Sequence, residues 1–183
     1  MLKVNVKANT DDIIRGLNKF ERQFVPQALN KSLNRVGTGV ATVVRRDVAK
    51  EAGITQRTLK QRGFFSQFRS KVKTLTYQFV VRWGSIPLKD FNPKQTKQGV
   101  VAKAWGIKQL YDNAFKVDSL GGHVFVRKTK KRLPIKKLYG PIPARIANSD
   151  RVEKKVGQTI NERLPRELSR NLAFYIKRAL GSV

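Results

Sequence analysis

The sequence predicts an α+β fold, with an N-terminal strand and helices packed on a mainly antiparallel sheet and a long, kinked C-terminal helix. Apolar residues near both ends recur every three or four positions, as in amphipathic helices. Those in the middle alternate with polar residues or form short runs between Gly and Pro, as in strands and turns. Because 40% of the 183 residues are hydrophobic, the chain can bury a core. We predict a single domain, 1–183, with three parts: 1–61 (strand plus helices), 62–147 (β-rich and basic) and 148–183 (helical).

The first part begins with a strand and an amphipathic helix. Residues 2–8 alternate apolar and polar side chains, which indicates an exposed or edge strand. Asn9 or Thr10 can cap the helix that follows. Asp11 and Asp12 fall in its first turn, where the helix dipole favours negative charge. Its predicted apolar stripe consists of Ile13, Ile14, Leu17, Phe20 and Phe24.

A second helix is predicted to start near Pro26, which suits a first turn, and to stop at Gly53. Gly37 and Gly39 interrupt its pattern. They indicate either a break or kink, or a place where another backbone approaches closely. A short third helix, from Thr55 to Gln61, is predicted to be capped by its first residue.

The middle part has the pattern of strands and loops. A long strand is predicted over 73–83, a loop over 85–99 and a short strand over 100–105. Residues 114–118 and 123–128 are typical of a hairpin. The core-facing residues of the long strand are predicted to be Leu75, Tyr77, Phe79, Val81 and Trp83.

The C-terminal part is predicted to be helical from Ser149, with Asn148 or Ser149 as its cap. Its apolar residues recur every fourth position from Val152 to Leu180. Such a stripe drifts by about 40° per step around a helix of 3.6 residues per turn. Pro165 is expected to relieve the drift by kinking the helix or by starting a new one.

The same stripe covers too much of the helix circumference for a helix lying on one sheet. We therefore expect part of 166–180 to pack on a neighbouring subunit or another partner. The predicted interface residues are Leu168, Leu172, Phe174 and Ile176.

The formal net charge is +27, and basic residues outnumber acidic ones in every stretch of fifty residues. Such a surface needs an anionic counterpart, which could be nucleic acid, an acidic protein or an anionic membrane. The densest run is 127–137, which either contacts the partner or DNA, or is a solvated turn that aids solubility. No motif for sequence-specific recognition of nucleic acid is present. The predicted contact residues are Arg127, Lys128, Lys130, Lys131, Arg132, Lys136 and Lys137.

Catalytic chemistry has little support. There is no Cys and one histidine, His123, and no zinc, phosphate-loop or serine-hydrolase motif occurs. A metal-dependent nuclease needs clustered acids, and the nearest pair, Asp112 and Asp118, is not expected to converge. We predict no enzyme activity, no catalytic residue, no metal and no cofactor. No signal-peptide core and no membrane-spanning run is found, so no membrane association is expected.

Several segments resemble the prophage minor tail protein Z family, the tail completion proteins of long-tailed bacteriophages. In the second half the resemblance lies in 87–91 (PLKDF), 102–105 (AKAW), 121–127 (GGHVFVR) and 132–141 (RLPIKKLYGP). In the first half it lies in 28–36 (ALNKSLNRV) and 49–54 (AKEAGI).

The resemblance implies a structural tail completion or neck protein without catalytic residues. Such a protein would assemble at the end of the tail, as a ring of copies that could be a hexamer, and make the tail competent for head joining and DNA passage. It would be made in the host bacterial cytoplasm and end in the virion. Its partners would be other tail or neck proteins, its own copies and, non-specifically, DNA in the channel. A stand-alone, non-sequence-specific nucleic-acid-binding protein is the alternative. A toxin-like nuclease is a third candidate, disfavoured by the scarcity of acids.

Overall fold

The computed structural model describes residues 2–7 and 19–180, with the side chains of Lys3 and of 24–178. It contains helices and antiparallel sheets, which confirms the predicted α+β class. The helices are α1 (Lys19–Ala52), α2 (Gln56–Gln61), α3 (Pro143–Ala147) and α4 (Asp150–Leu180). The strands are β1 (Leu2–Lys7), β2 (Phe65–Phe68), β3 (Thr76–Val81), β4 (Lys94–Gln95), β5 (Gly99–Ala102), β6 (Gln109–Asp112), β7 (Ala114–Val117), β8 (His123–Arg127) and β9 (Ile135–Lys137).

The chain divides into two compact units. One, the sheet unit, consists of Arg45–Phe65 and Val81–Ser149. The other, the helical unit, consists of the described parts of Leu2–Val44, Ser66–Val80 and Asp150–Val183. The prediction of one domain over the whole chain stays a prediction. None of the described helices has the length and apolarity needed to cross a bilayer.

Helix α1 corrects the predicted division at Pro26. It is continuous from Lys19 to Ala52, with Pro26 inside it. Because a proline has no N–H, one carbonyl of the preceding helical turn loses its hydrogen-bond donor. The apolar face of α1 nevertheless packs on the core on the C-terminal side of Pro26, and this packing favours one continuous helix. The predicted cap and the stripe up to Leu17 lie outside the described residues. The helix ends where predicted, at Gly53, whose φ is +70°, and Thr55 caps α2 as expected.

The two glycines inside α1 do not break it. A Cβ on Gly37 would lie 2.6 Å from Cε1 of Tyr77, and a Cβ on Gly39 would lie 2.8 Å from Nη1 of Arg163. Both positions are therefore places of close approach. The approaching groups are side chains, whereas the sequence suggested a backbone.

The core of the helical unit joins α1, α4 and the chain before β3. It is formed by Leu29, Leu33 and Leu75, with Val25, Ile160, Leu164 and Leu168 packed against it. In the same unit the buried Ser32 hydroxyl donates to the Ala28 carbonyl at 2.8 Å and accepts from Asn171 Nδ2 at 2.9 Å. Helix α4 continues through Pro165, so the alternative prediction that a new helix starts at this proline is wrong. The predicted kink stays a prediction.

Strand β3 confirms the alternating pattern and corrects its end. Tyr77, Phe79 and Val81 are buried as predicted. The strand stops at Val81, so Trp83 falls beyond the pleat and is 60% exposed. In the sheet of order β1-β3-β2, β1 is at an edge, as its lysines suggested.

The sheet unit contains two antiparallel sheets of order β4-β5-β6 and β7-β8-β9. The hairpin was predicted correctly, with Phe115 opposite Phe125. Residues 85–99 are more than a loop, because they contain β4 and a 3-10 turn, Leu88–Phe91, with buried ends. The predicted strand 100–105 ends at Ala102. Trp105 sits in a second 3-10 turn with φ +59°. Helix α3 and strands β6 and β9 were not predicted, and neither was β2.

Candidate functional site

The basic run is divided between two strands and a loop. Arg127 ends β8, and Lys136 and Lys137 belong to β9, which pairs with β8. Between them, residues 128–132 form an exposed segment that we call the basic loop. Its base is closed by the Lys128 amide, which donates to the Pro134 carbonyl at 3.1 Å. The strands therefore fix both ends of the loop and leave its side chains in solvent.

Two of the strand cations, Arg127 and Lys137, make internal contacts, whereas the third, Lys136, is exposed. The guanidinium of Arg127 lies over the Phe115 ring at 5.5 Å. The Nζ of Lys137 lies 3.1 Å from Nε2 of His123 and 5.5 Å from the Tyr139 ring centre. Among the described residues, no ion pair neutralises any of the four loop cations. These cations are Lys128, Lys130, Lys131 and Arg132.

His123 lies in a polar cluster of the sheet unit. Its Nδ1 is buried and has no hydrogen-bond partner in the described part of the chain, as is the case for Oδ2 of Asp90. The other carboxylate oxygen of Asp90 accepts from Arg62 Nη2 at 2.6 Å. Burial lowers the pKa of His123, and the charges of Lys137, Lys89 and Arg62 lower it further, against an opposing effect of Asp90. A neutral imidazole beside a lysine therefore accepts the lysine's hydrogen bond, which is a structural role.

The structure places the two candidate acids, Asp112 and Asp118, on different elements. Asp118 forms an ion pair with Lys116, 2.7 Å from Oδ1 to Nζ, and Asp112 ends strand β6. Within the described ranges no group of three His, Cys, Asp or Glu side chains could hold a metal ion. The described polar contacts of the Asp118 and His123 side chains are an ion pair and a hydrogen bond with lysines.

A second basic feature lies in the helical unit and was not predicted from the sequence. Four arginines and one glutamate line a cavity of about 400 Å³. We call it the arginine pocket: Arg35 from α1, and Arg163, Arg166, Glu167 and Arg170 from α4. The Glu167 carboxylate pairs with Nε of Arg35 at 3.1 Å and with the guanidinium of Arg170. Arg163 and Arg166 have no ion pair among the described residues.

The pocket follows from helix periodicity and one small residue. Positions 163, 166 and 170 are separated by three and four residues, so they share one face of α4. Gly39 leaves room for the tip of Arg163. The spacing of the three arginines was visible in the sequence. The convergence of Arg35 upon them was not, because it depends on how α1 packs against α4.

The predicted subunit-interface residues lie in different surroundings. Leu168 packs on the core of its own unit, and Leu172 is half-buried. Phe174 and Ile176 are 52% and 54% exposed. The Nζ of Lys31 lies 4.8 Å from the ring centre of Phe174. An interface here stays a prediction, and it is the two exposed residues that are available to a partner.

Comparison with protein families gives one match of nearly full length. The model described as Prophage minor tail protein Z (GPZ) matches residues 8–181. Neither the comparison with curated proteins nor that with solved structures finds a significant match. The match confirms the family that the sequence segments suggested.

Proposed function

The chain belongs to the prophage minor tail protein Z family, and from this premise we propose that it completes the tail of a bacteriophage particle. Proteins of this family are structural components of the phage tail, and the tail is part of the virion. Within that role, copies of the chain assemble as a ring at the end of the tail. The ring makes the tail competent to join the head and to pass DNA. Its partners are other tail or neck proteins, and it is made in the host cytoplasm before assembly.

The observation that carries this proposal is the extent of the family match. It runs from residue 8 to residue 181, so it takes in both compact units. A match confined to one unit would leave the other free for an unrelated task. The proposed role therefore applies to the chain as a whole.

The charge supports a role beside an anion. Each copy carries +27, so copies brought together in a ring repel one another unless an anion neutralises them. Unit charges about 4 Å apart interact by roughly 1 kcal/mol in water, and salt at about 0.1 M screens them beyond roughly 10 Å. We propose that the basic loop, with Arg127, Lys136 and Lys137, faces DNA in the channel or an acidic neighbouring protein.

We further propose that the chain works without catalysis. The only histidine is held by Lys137, and Asp118 by Lys116. Replacing His123, Asp112 and Asp118 together by Ala is expected to leave head joining within a few-fold of wild type in particles that contain the folded protein. A large loss of joining, with the protein folded and incorporated, would contradict this part of the proposal.

A stand-alone nucleic-acid-binding protein is the second candidate, and the exposed, uncompensated loop cations favour it. Lysine and arginine neutralise phosphates without reading sequence. The two candidates differ in what the protein needs. A tail protein is required in the particle, whereas a stand-alone binder acts on free DNA or RNA as a monomer and is dispensable for joining.

The deciding experiment is complementation of a phage whose gene for this chain is deleted. Without the chain, we expect separate heads and tails. Supplying wild-type protein to the purified halves should restore joined, infectious particles. Joined particles formed in the absence of the chain would overturn the proposal. Tight binding of monomer to free nucleic acid, in a phage that joins normally without it, would establish the second candidate.

A further inference from the structure

We propose that the arginine pocket binds an acidic segment of another protein, seating one or two of its carboxylates between α1 and α4. The inference rests on the proposed function, in which the chain works among neighbouring tail proteins. It names a site and a partner chemistry that the family match does not supply.

The balance of charge in the pocket points to a missing anion. Within residues 24–178, whose side chains are described, four guanidinium groups line the pocket with one carboxylate, that of Glu167. Glu167 is engaged with Arg35 and Arg170, and its side chain is 18% exposed. Arg163 and Arg166 are exposed and have no ion pair among the described residues. Holding like charges on one helix face is unfavourable unless an anion joins them.

The residue type points to carboxylates. All the lining cations are arginines, whose planar guanidinium presents paired donors that match a carboxylate in a bidentate geometry. Glu167 already demonstrates the match, because two of these arginines hold it from α1 and α4. An incoming Asp or Glu side chain would meet Arg163 and Arg166 in the same way.

The shape of the pocket favours a protein segment over nucleic acid. Its volume of about 400 Å³ is the size of a ligand site that accepts a few side-chain groups. A DNA duplex is too wide to enter such a cavity, and the carboxylate of Glu167 would repel a continuous row of phosphates. The basic loop, which is exposed and free of carboxylates, is the better surface for phosphates.

A substitution at Gly39 can alter the geometry of the pocket without altering its charge. A Cβ at this position would lie 2.8 Å from Nη1 of Arg163, so Arg163 would have to move. The flexible end of a side chain can shift at little cost in stability. Gly39→Ala should therefore disturb the pocket while the fold and the net charge stay the same.

The test measures binding of two fluorescent probes to the purified full-length chain by anisotropy at low salt: a short polyglutamate peptide and a random-sequence DNA duplex. The pocket variant is Arg163→Gln with Arg166→Gln. The matched control, Lys128→Gln with Lys130→Gln, loses the same charge from the basic loop. We expect the pocket variant to weaken peptide binding about tenfold, a loss of about 1.4 kcal/mol, and duplex binding less than about threefold. The control should show the reverse preference.

Gly39→Ala supplies the second arm, with an expected loss of about threefold or more in peptide affinity at unchanged charge. Equal losses for both probes in both double variants would mean that only net charge matters and would overturn the proposal. A pocket variant that loses duplex binding more than peptide binding would replace it with a nucleic-acid site. A wild-type chain that does not bind the peptide would also overturn it. Head joining is measured separately, so a failed pocket leaves the tail role standing, and a failed tail role leaves the peptide result intact.

Discussion

The basic loop and the arginine pocket carry the same sign of charge in different physical settings. The loop, residues 128–132, is a run of neighbours in sequence whose side chains extend into solvent. The pocket collects cations from α1 and α4, which are far apart in sequence, around one carboxylate. The local density of basic residues in the sequence is enough to define the loop. The pocket exists only when the two helices are packed.

This difference separates two kinds of electrostatic recognition. Flexible, exposed lysines follow a phosphate backbone without fixed geometry, and their attraction is strongly weakened by salt. Arginines brought together by two packed helices present planar guanidiniums that match a carboxylate in a bidentate geometry. Of the two surfaces, only the pocket should therefore respond to changes in the packing of α1 against α4. Changes to loop charge should weaken nucleic-acid binding without affecting stability.

The largest expected effect comes from disturbing the packing of α1 on strand β3, in the same unit as the pocket. Gly37→Ala would place a Cβ 2.6 Å from Cε1 of Tyr77, a ring that is only 1% exposed. We expect the free energy of unfolding to fall by roughly 2 kcal/mol or more, as for other overpacked cores. Urea unfolding measures it. Gly39→Ala is the matched control. It should be neutral or stabilising by up to about 1 kcal/mol, and equal stability of both variants would contradict the described packing of α1.

The next effect concerns the loop. Replacing its four cations by Gln should leave the free energy of unfolding within about 0.5 kcal/mol, because exposed side chains contribute little. Duplex DNA binding should weaken, and its salt dependence should become shallower by about 0.9 in slope for each phosphate that is no longer neutralised. Titrations at several salt concentrations test this. The control replaces four exposed lysines elsewhere, Lys71, Lys73, Lys97 and Lys108. An equal change in slope would reduce the loop to a solubility device.

A smaller effect is expected from removing the acidic residue of the pocket. Glu167→Gln removes the carboxylate that engages Arg35 and Arg170. Stability should fall by about 0.5 to 1 kcal/mol, since partly exposed ion pairs contribute modestly. Affinity for polyglutamate should rise a few-fold, because two guanidiniums are released. Glu162→Gln on the exposed face of the same helix makes the same charge change. If it raises affinity equally, the pocket has no special role.

The smallest effect is a pH dependence in the sheet unit. Burial, with Lys137, Lys89 and Arg62, lowers the pKa of His123 below its ordinary value of 6.5. The unfolded chain therefore takes up a proton at a higher pH than the folded chain does. The stability that depends on a neutral His123 is fully present above pH 6.5, and it is lost as the pH falls from there through the lowered pKa of the folded chain. His123→Gln should flatten the fall in Tm between about pH 7.5 and 5.5. Because His123 is the only histidine, an unchanged profile would contradict a half-buried imidazole that is held neutral.

Local signals in the sequence identified much of the fold. Alternation located β3 and the hairpin, and Gly53 and Thr55 marked the end of α1 and the start of α2 through their own backbone preferences. The errors fall where packing overrides a local preference. Pro26 is tolerated inside α1, and Trp83 fits the alternation but lies beyond the end of the strand.

The two proposed binding surfaces were predictable to different degrees for the same reason. The basic loop is contiguous in sequence, so its composition located it. The three arginines of α4 carry a helical spacing that could have been noticed. Arg35 is more than a hundred residues away in the chain, and Gly39 gave only a choice between a kink and a close approach. Only the packing of the two helices identifies them as parts of one site.

The most direct test of the account is an electron-microscopy reconstruction of the complete phage particle with this chain located in it. The account predicts copies of the chain in a ring at the head-proximal end of the tail. The basic loop would face the DNA channel or an acidic neighbour, and an acidic side chain of a neighbouring protein would lie against Arg163 and Arg166. A chain found elsewhere in the particle, or missing from it, would contradict the tail completion role. A ring whose arginine pocket faces open solvent would contradict the assignment of its partner.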